Sequence, residues 1–526
     1  MFRRDWVKIV NTSYKEKVLT MKKSIIILTL AGLTLIFFIS GFYYTSLIDS
    51  IAVATWGMIY MTLSIASVLI WLVIFIYSDS KNKLPWLFII ALFPVIGVIL
   101  YLMLGHNFRE TFRYRRRLKE LGPDYVVPAC EYDKSDSKTP LSDLSLRLCY
   151  LNMMTCRNDV SFKTKTRILT NGDQKFPILL ELIRNAKQFI FMEYYIFNGD
   201  QIGMEVIKLL IEKAKSGVEV LFLFDPLGTS GRLKSPIIRQ MKSVGIKIAE
   251  FDPVLIPFMT NKVNHRNHRK IVVVDGKYAM TGGMNVGDEY IHRSKKYGFW
   301  RDTSILVEGE AVRDFSVLFS GDWFFATGER LTKECYYQKK TAKEAGAVQV
   351  VDSGPQSTMA GIKQAIFRMI MGAQKSVYII TPYLIPDFDI ISALKNAALS
   401  GVDVRIIVPG RADRRFVYYA TQSYFEPLLE VGVRIFIYDG VFCHSKVIVV
   451  DEEIASIGTT NMDIRSFYLN FEVNVMLYQT DSVQALLNDF NVDSSRSTEV
   501  MYSDWIKRPL LTRSIQSLAQ LFSSIM

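Results

Sequence analysis

The feature that most limits what this chain can fold into is a duplication. "HRKIVVVDGKYAMTGGMN" and "HSKVIVVDEEIASIGTTN" share one pattern: His-x-Lys, four residues, Asp, six residues, Gly, two residues, Asn. The first copy holds His268, Lys270, Asp275, Gly282 and Asn285, and the second His444, Lys446, Asp451, Gly458 and Asn461. The surroundings repeat too. "FIFMEYYIF", "IGMEVIKLLIEKAKSG" and "VEVLFLFD" precede the first copy, as "SVYIITPYLIP", "DIISALKNAALSG" and "VDVRIIVP" precede the second. β-branched and aromatic runs alternating with helices closed by Gly217 and Gly401 predict an α/β fold with mostly buried strands. A repeat of domain size, unlike a solenoid unit, predicts two similar lobes, 157–340 and 341–526, with a cleft between them.

Residues two apart on an extended strand share a face, so each His-x-Lys pair points into one space while the following apolar run anchors it. A single H-x-K-x-x-x-x-D is weak evidence, because such patterns arise by coincidence at strand edges. Two copies in matching register are strong evidence for a catalytic pair. Lysines and carboxamides around a phosphate would stabilise charge on its nonbridging oxygens. One neutral imidazole would attack phosphorus, and the other would protonate the leaving alkoxide. The residues alone do not order the two histidines. This chemistry calls for no metal and no cofactor. His106, His265 and His292 lie outside the repeat and are read as noncatalytic.

An excess of 12 basic residues in a chain of 526 favours an anionic partner: phospholipid, nucleic acid or a phosphorylated metabolite. Five cysteines without a C-x-x-C pair indicate neither a disulfide framework nor a zinc site. Uncharged runs at 24–44 and 51–77 are long enough to span a bilayer. A third, at 84–105, carries Pro94 and Gly97 and is expected to span or re-enter. Residues 1–23 form a basic arm, and 107–156 read as a linker. The basic clusters flanking 24–106, Arg3 to Lys23 and Arg109 to Lys119, favour the cytoplasmic face for both and for the lobes. At the other end Leu511, Ile515, Leu518 and Phe522 fall at helical spacing, so a carboxy-terminal helix is expected to dock its apolar face on the protein, with bilayer contact the lesser reading.

The repeated motifs resemble the HKD motifs of the phospholipase D superfamily. With "FWRDT", "TPYLIPD", "NFEVN" and "LPWLFIIALFPVIGVILYLMLG", nearly the whole chain resembles its bacterial cardiolipin synthase branch. The resemblance implies phospholipase D-type lobes of mixed sheets flanked by helices, behind an N-terminal membrane region of two to three hydrophobic helices. It implies a multi-pass enzyme of the cell membrane that joins two phosphatidylglycerol molecules into cardiolipin, releases glycerol and has no nucleic acid partner. His268, Lys270, Asp275, His444, Lys446 and Asp451 would be catalytic, with His268 the nucleophile, and Asn285 and Asn461 would bind phosphate. It further implies that Asp302 orients His444 and Glu472 orients His268. Gly283 stands where a serine is frequent and Thr459 stands in the second copy, so one hydroxyl donor to phosphate would be missing.

Three rivals remain. A nuclease would suit the charge but not the hydrophobic segments. A lipid hydrolase or phosphatidylserine synthase shares the chemistry and differs in the acceptor; aromatic side chains such as Tyr195, Phe197 and Tyr383 would favour transfer by excluding water, or belong to the core. A noncatalytic scaffold leaves both motifs unexplained.

Overall fold

The computed structural model describes residues 141–526 apart from 157, 254–263, 344–345, 358, 412, 522 and 524–526. Before 141 it describes 55, 57–59, 62, 65, 69, 90, 97, 101, 113–117 and 120. The chain divides into two compact units, Met1–Phe108 and Arg109–Met526. The expected membrane segments at 24–44, 51–77 and 84–105 lie almost wholly outside the described residues. Among the described residues no helix is long and apolar enough to cross a membrane.

The second unit is built on one sheet of 15 described strands. Its seam is the antiparallel pair Ser161–Thr170 and Gly346–Ser353. Outward through the first half run Thr303–Gly309, Tyr278–Gly282, Ile271–Val274, Phe189–Tyr194, Glu219–Phe224 and Lys247–Glu250. Outward through the second run Glu472–Tyr478, Ile454–Gly458, Val447–Val450, Ser376–Ile380, Asp403–Pro409, Arg434–Tyr438 and Ser497–Glu499. The first six strands outward from the seam follow the same order in both halves, with Ser497–Glu499 an additional edge strand in the second, so the duplication appears as a mixed sheet with internal symmetry. The halves also share one core layer, in which Ile271 and Val273 pack in the same cluster as Val447 and Val449. Both four-residue motif strands are buried along their whole length because alternate side chains enter core layers on the two faces of the sheet, Ile271 and Val273 opposite Val272 and Val274, and Val447 and Val449 opposite Ile448 and Val450.

Each motif strand turns back through a hairpin whose two central residues have positive φ: Asp275 (54°) and Gly276 (57°), then Asp451 (52°) and Glu452 (58°). This is the backbone of a type I′ turn, for which Asp-Gly is a favoured pair. Asp-Glu is not, and the second turn is held by what Asp451 accepts: the N–H groups of Gln374 (2.9 Å), Lys375 (2.7 Å) and Ser376 (2.9 Å). Asp275 accepts those of Lys187 (2.8 Å), Gln188 (2.7 Å) and Phe189 (3.0 Å).

Two further expectations change here. The segment expected as a linker contains a helix, Asp143–Cys156, whose Leu148, Cys149 and Asn152 are buried. Tyr114, from the same segment, is buried against His265, Phe325 and Phe471. The carboxy-terminal helix Leu510–Leu521 is present, but it buries Gln516 and Ala519 and turns Leu511, Ile515 and Leu518 outward. Ala519 packs with Ala420 and Tyr424, and the Gln516 side chain donates to Gln422 at 3.0 Å.

Candidate active site

The two histidines sit just ahead of the buried strands, in extended segments that pair with the opposite half. Asn267 bridges Phe471, and the His268 N–H donates to the Phe471 carbonyl at 2.9 Å. Phe442–Cys443 pairs in parallel with Trp300–Arg301, and the His444 N–H donates to the Arg301 carbonyl at 2.6 Å. Each histidine therefore arrives beside the carboxylate that follows its backbone partner. His268 Nδ1 lies 3.0 Å from both oxygens of Glu472, and His444 Nδ1 lies 2.8 Å from Asp302 Oδ2. Both carboxylates are fully buried. Burial pulls them toward the neutral acid, but the imidazoles and motif lysines outweigh it and hold both below the usual carboxylate range. An ionised carboxylate only accepts, which assigns the proton of each neutral ring to Nδ1 and leaves the Nε2 lone pair for chemistry.

Lys270 and Lys446 each donate to the carbonyl of their own motif histidine, at 2.7 and 2.5 Å. Burial lowers Lys270 to about 7, with Lys446 adding to the fall and Glu472 and Asp302 opposing it. Burial likewise lowers Lys446 to about 8 against both carboxylates. The imidazoles respond to the same charges: burial takes His268 to about 4, aided by Lys270 and Lys446 and opposed by Glu472. His444 is lowered by burial and then by Lys446, with Asp302 opposing. Each lysine thus acts across the seam on the other half's groups, and both pairs share one electrostatic site.

Burial makes the charged form of both lysines costly despite the two carboxylates, which gives a pH prediction. A phosphodiester bound between the lysines should return their pKa values toward 10.5, so binding takes up protons at pH 8, where the free lysines are partly neutral. Affinity should therefore fall as pH rises through 8. Calorimetry with short-chain phosphatidylglycerol in buffers of different ionisation heat should show net uptake that shrinks in Lys446→Met; no uptake would place the anion elsewhere.

The remaining expected residues divide. Asp275 and Asp451, expected to be catalytic, stand at the far ends of the motif strands, about 16 Å from their lysines at a rise of about 3.3 Å per residue. Their oxygens are spent on backbone N–H groups, so they anchor the hairpins. Asp275→Ala or Asp451→Ala should cost about 3 kcal/mol, roughly 5 °C in the thermal midpoint, and leave kcat per folded molecule unchanged. A large kcat loss with an unchanged midpoint would return them to the chemistry.

Asn285 accepts from the Ile196 N–H at 3.1 Å and donates to the Tyr290 hydroxyl at 2.9 Å. Asn461 donates to Asp463 at 3.1 Å, and its buried Oδ1 has no partner among the described residues. The hydroxyl reading changes more clearly. A Cβ at Gly283 would collide with Asp302 Oδ1, so the glycine makes room for that carboxylate. Thr459 donates its hydroxyl to Glu472 at 2.5 Å rather than to a phosphate position.

Sequence reasoning missed the layer behind each histidine. Arg269 is fixed by Asp322 (2.6 Å) and Asp352 (2.9 Å) and donates to the Glu472 carbonyl at 3.2 Å. Arg301 is fixed by Asp493 (3.1 Å) and Asp489 (3.1 Å) and donates to the Asp302 carbonyl at 2.7 Å. Lys175 is buried, donates to the Met284 carbonyl at 2.6 Å, and is lowered to about 7 by burial despite Asp302. Tyr195 meets His268 edge-on at 5.1 Å between centroids, and Trp300 and Phe442 flank His444 at 5.5 and 5.6 Å. Phe197, by contrast, is a core residue packed on Phe222, and the Tyr383 hydroxyl donates to Asp413 at 2.6 Å. His265 Nδ1 faces the Leu469 carbonyl, and His292 lies on Asp173 and Trp300, both outside the His-x-Lys pairs.

The family described as "Cardiolipin synthase, PLD-like domain" matches residues 179–323 and 366–494, and one described as "Phospholipase_D-nuclease N-terminal" matches 64–106. The chain is 42% identical over 476 residues to a cardiolipin synthase of Halalkalibacterium halodurans, covering 89% of this chain and 94% of that one. It is 42% identical over 475 residues to cardiolipin synthase 2 of Bacillus anthracis, covering 88% and 90%. Among solved structures, phosphatidylserine synthase of Haemophilus influenzae superposes with a TM-score of 0.56 at 15% identity, over 73% of this chain and all of that one, a likeness of fold.

Proposed function

The chain belongs to the cardiolipin synthase family of the phospholipase D superfamily, and from that premise we propose how its residues carry out the transfer. It is a phosphatidyltransferase that makes cardiolipin from two molecules of phosphatidylglycerol. In the first half-reaction His268 Nε2 attacks phosphorus, the N–P bond forms, the P–O bond to the departing glycerol breaks, and His444 supplies that oxygen's proton. In the second, His444 takes the proton from the headgroup hydroxyl of another phosphatidylglycerol as its oxygen bonds to phosphorus and the N–P bond breaks.

The carrying observation is the exchange of carboxylates across the seam, which gives two neutral rings with Nε2 open and two buried lysines beside them. His444 needs a proton on Nε2 before it can act as an acid. A bound phosphodiester supplies the reason, since its charge offsets the lysines that hold the ring's pKa down. Lys270 and Lys446 then face the nonbridging oxygens, the second Nδ2 hydrogen of Asn461 donates to them, and Asn285 positions the loop at Ile196. Trp300, Phe442 and Tyr195 exclude water, which favours an alcohol acceptor. The lobes 157–340 and 341–526 each contribute one motif. Spans at 24–44 and 51–77, with 84–105 spanning or re-entrant, anchor the enzyme in the cell membrane with this site on the cytoplasmic side.

The test is to supply the detergent-solubilised full chain with phosphatidylglycerol in EDTA and to follow lipids and glycerol by mass spectrometry. Cardiolipin and glycerol in equal amounts are expected. Phosphatidic acid alone would make water the acceptor, and activity only on restored metal would overturn the lysine-based account.

A further inference from the structure

An amphipathic helix in a water-soluble unit ordinarily turns its apolar stripe inward. The carboxy-terminal helix does the reverse. Leu510, Leu511, Ile515, Leu518 and Leu521 are between 36% and 79% exposed, while Gln516 and Ala519 are buried at 2% and 0%. Five large aliphatic side chains on one outward stripe form a patch of the kind that marks an interaction surface.

Charge and position identify what covers it. Lys507, Arg508 and Arg513 lie along the start of the helix, and exposed Arg411, Arg414 and Arg415 lead into Arg415–Ser423, the helix on which it packs. Among the acidic groups here, Asp504 pairs with Lys507 (3.3 Å), Glu426 with Arg508 (2.9 Å) and Arg513 (3.5 Å), and Asp413 accepts from Tyr383 (2.6 Å), so six basic residues face three acidic ones. The surface thus has an apolar stripe within a net positive border, which suits an anionic lipid surface. The helix beneath it is linked to the active site through buried contacts. Thr421 of Arg415–Ser423 accepts from the Leu384 N–H at 3.2 Å, beside Met462–Asp463 next to Asn461. Arg414 acts electrostatically on Tyr195, the ring packed on His268.

We propose that the Leu510–Leu521 helix lies in the headgroup region of an anionic bilayer with its leucine stripe inserted, seating the active-site mouth at the lipid surface. The proposal rests on the reading of the substrates as bilayer phospholipids. It makes the amino-terminal region a tether and this helix the element that sets the height and tilt of the site.

The experiment uses the full chain in nanodiscs containing phosphatidylglycerol, with a nitroxide on Leu518→Cys and a control nitroxide on Lys215→Cys in the other half. Collisions with oxygen should rise and those with a water-soluble nickel chelate should fall severalfold at 518 relative to 215. Equal chelate access at both sites overturns the proposal. So does a 518 label closed to both reagents, which would mean that a second copy or the chain's own amino-terminal segment covers the stripe. As a second arm, Leu511→Glu with Leu518→Glu should keep turnover in detergent micelles and lose about tenfold on bilayer substrate; equal loss in both, or in neither, counts against it. The label reports depth without turnover, so an inserted helix on an inactive enzyme would sink the catalytic reading alone, and an active enzyme with a chelate-exposed label would sink this one alone.

Discussion

His268→Ala should abolish cardiolipin formation from phosphatidylglycerol, with kcat falling on the order of 10⁴-fold or more, and His444→Ala should do nearly the same. The equal losses conceal different causes, and the leaving group separates them. Glycerol departs as a strongly basic alkoxide and needs the proton that His444 holds. p-Nitrophenol departs as a weak base and needs none. A phosphatidyl ester of p-nitrophenol should therefore restore a burst of p-nitrophenolate and a phosphatidyl-enzyme in His444→Ala, and restore neither in His268→Ala. Burial and the lysines lower both rings. Each carboxylate has further support, Glu472 from Thr459 (2.5 Å) and Asn470 (3.2 Å) and Asp302 from the Thr303 N–H (2.8 Å) and Trp300 Nε1 (3.4 Å), so the p-nitrophenyl ester is what orders the two histidines. A burst in His268→Ala with none in His444→Ala would reverse the roles without changing the reaction.

What the sequence revealed follows from how far periodicity reaches. Matching His-x-Lys register was legible because period-2 geometry carries two side chains to one face wherever the strand lies. The duplicated element order was legible for the same local reason, but the seam was not. It pairs Ser161–Thr170 with Gly346–Ser353, strands whose contact nothing in either sequence encodes. The two motif aspartates were misread because nearness in sequence suggests nearness in space, whereas an extended strand carries five residues about 16 Å. Their left-handed φ and the three N–H groups each accepts explain an aspartate there without any chemistry. Arg269 and Arg301 escaped notice because one occupies the middle of its motif, where the other copy has Ser445, and the other lies outside the repeat. The leucine periodicity of the carboxy-terminal helix was plain, but periodicity does not say which way a stripe faces.

The second large effect concerns the carboxylates. Glu472→Gln and Asp302→Asn should each reduce kcat by about 10²- to 10⁴-fold with little change in KM, because neither side chain is free to touch lipid and each acts through its imidazole. The amide is nearly isosteric but uncharged. It loses the attraction that favours the imidazolium, and it offers Nδ1 an N–H2 group as readily as a carbonyl, so part of the population holds the proton on Nε2. For His268 that tautomer has no lone pair with which to attack. Glu472→Gln should therefore suppress formation of the phosphatidyl-enzyme even from the p-nitrophenyl ester. Asp302→Asn acts on the ring that manages the leaving proton, so it should regain most of its burst with that ester. Thr459→Val offers a graded control, since it removes one donor to Glu472 and leaves the charge, and a loss of about tenfold on the same step is expected. A merely structural role for the two carboxylates would lower the thermal midpoint and slow both substrates equally. Retention of kcat within twofold in either variant would mean that its histidine is oriented by something other than the pairing at 2.8 to 3.0 Å.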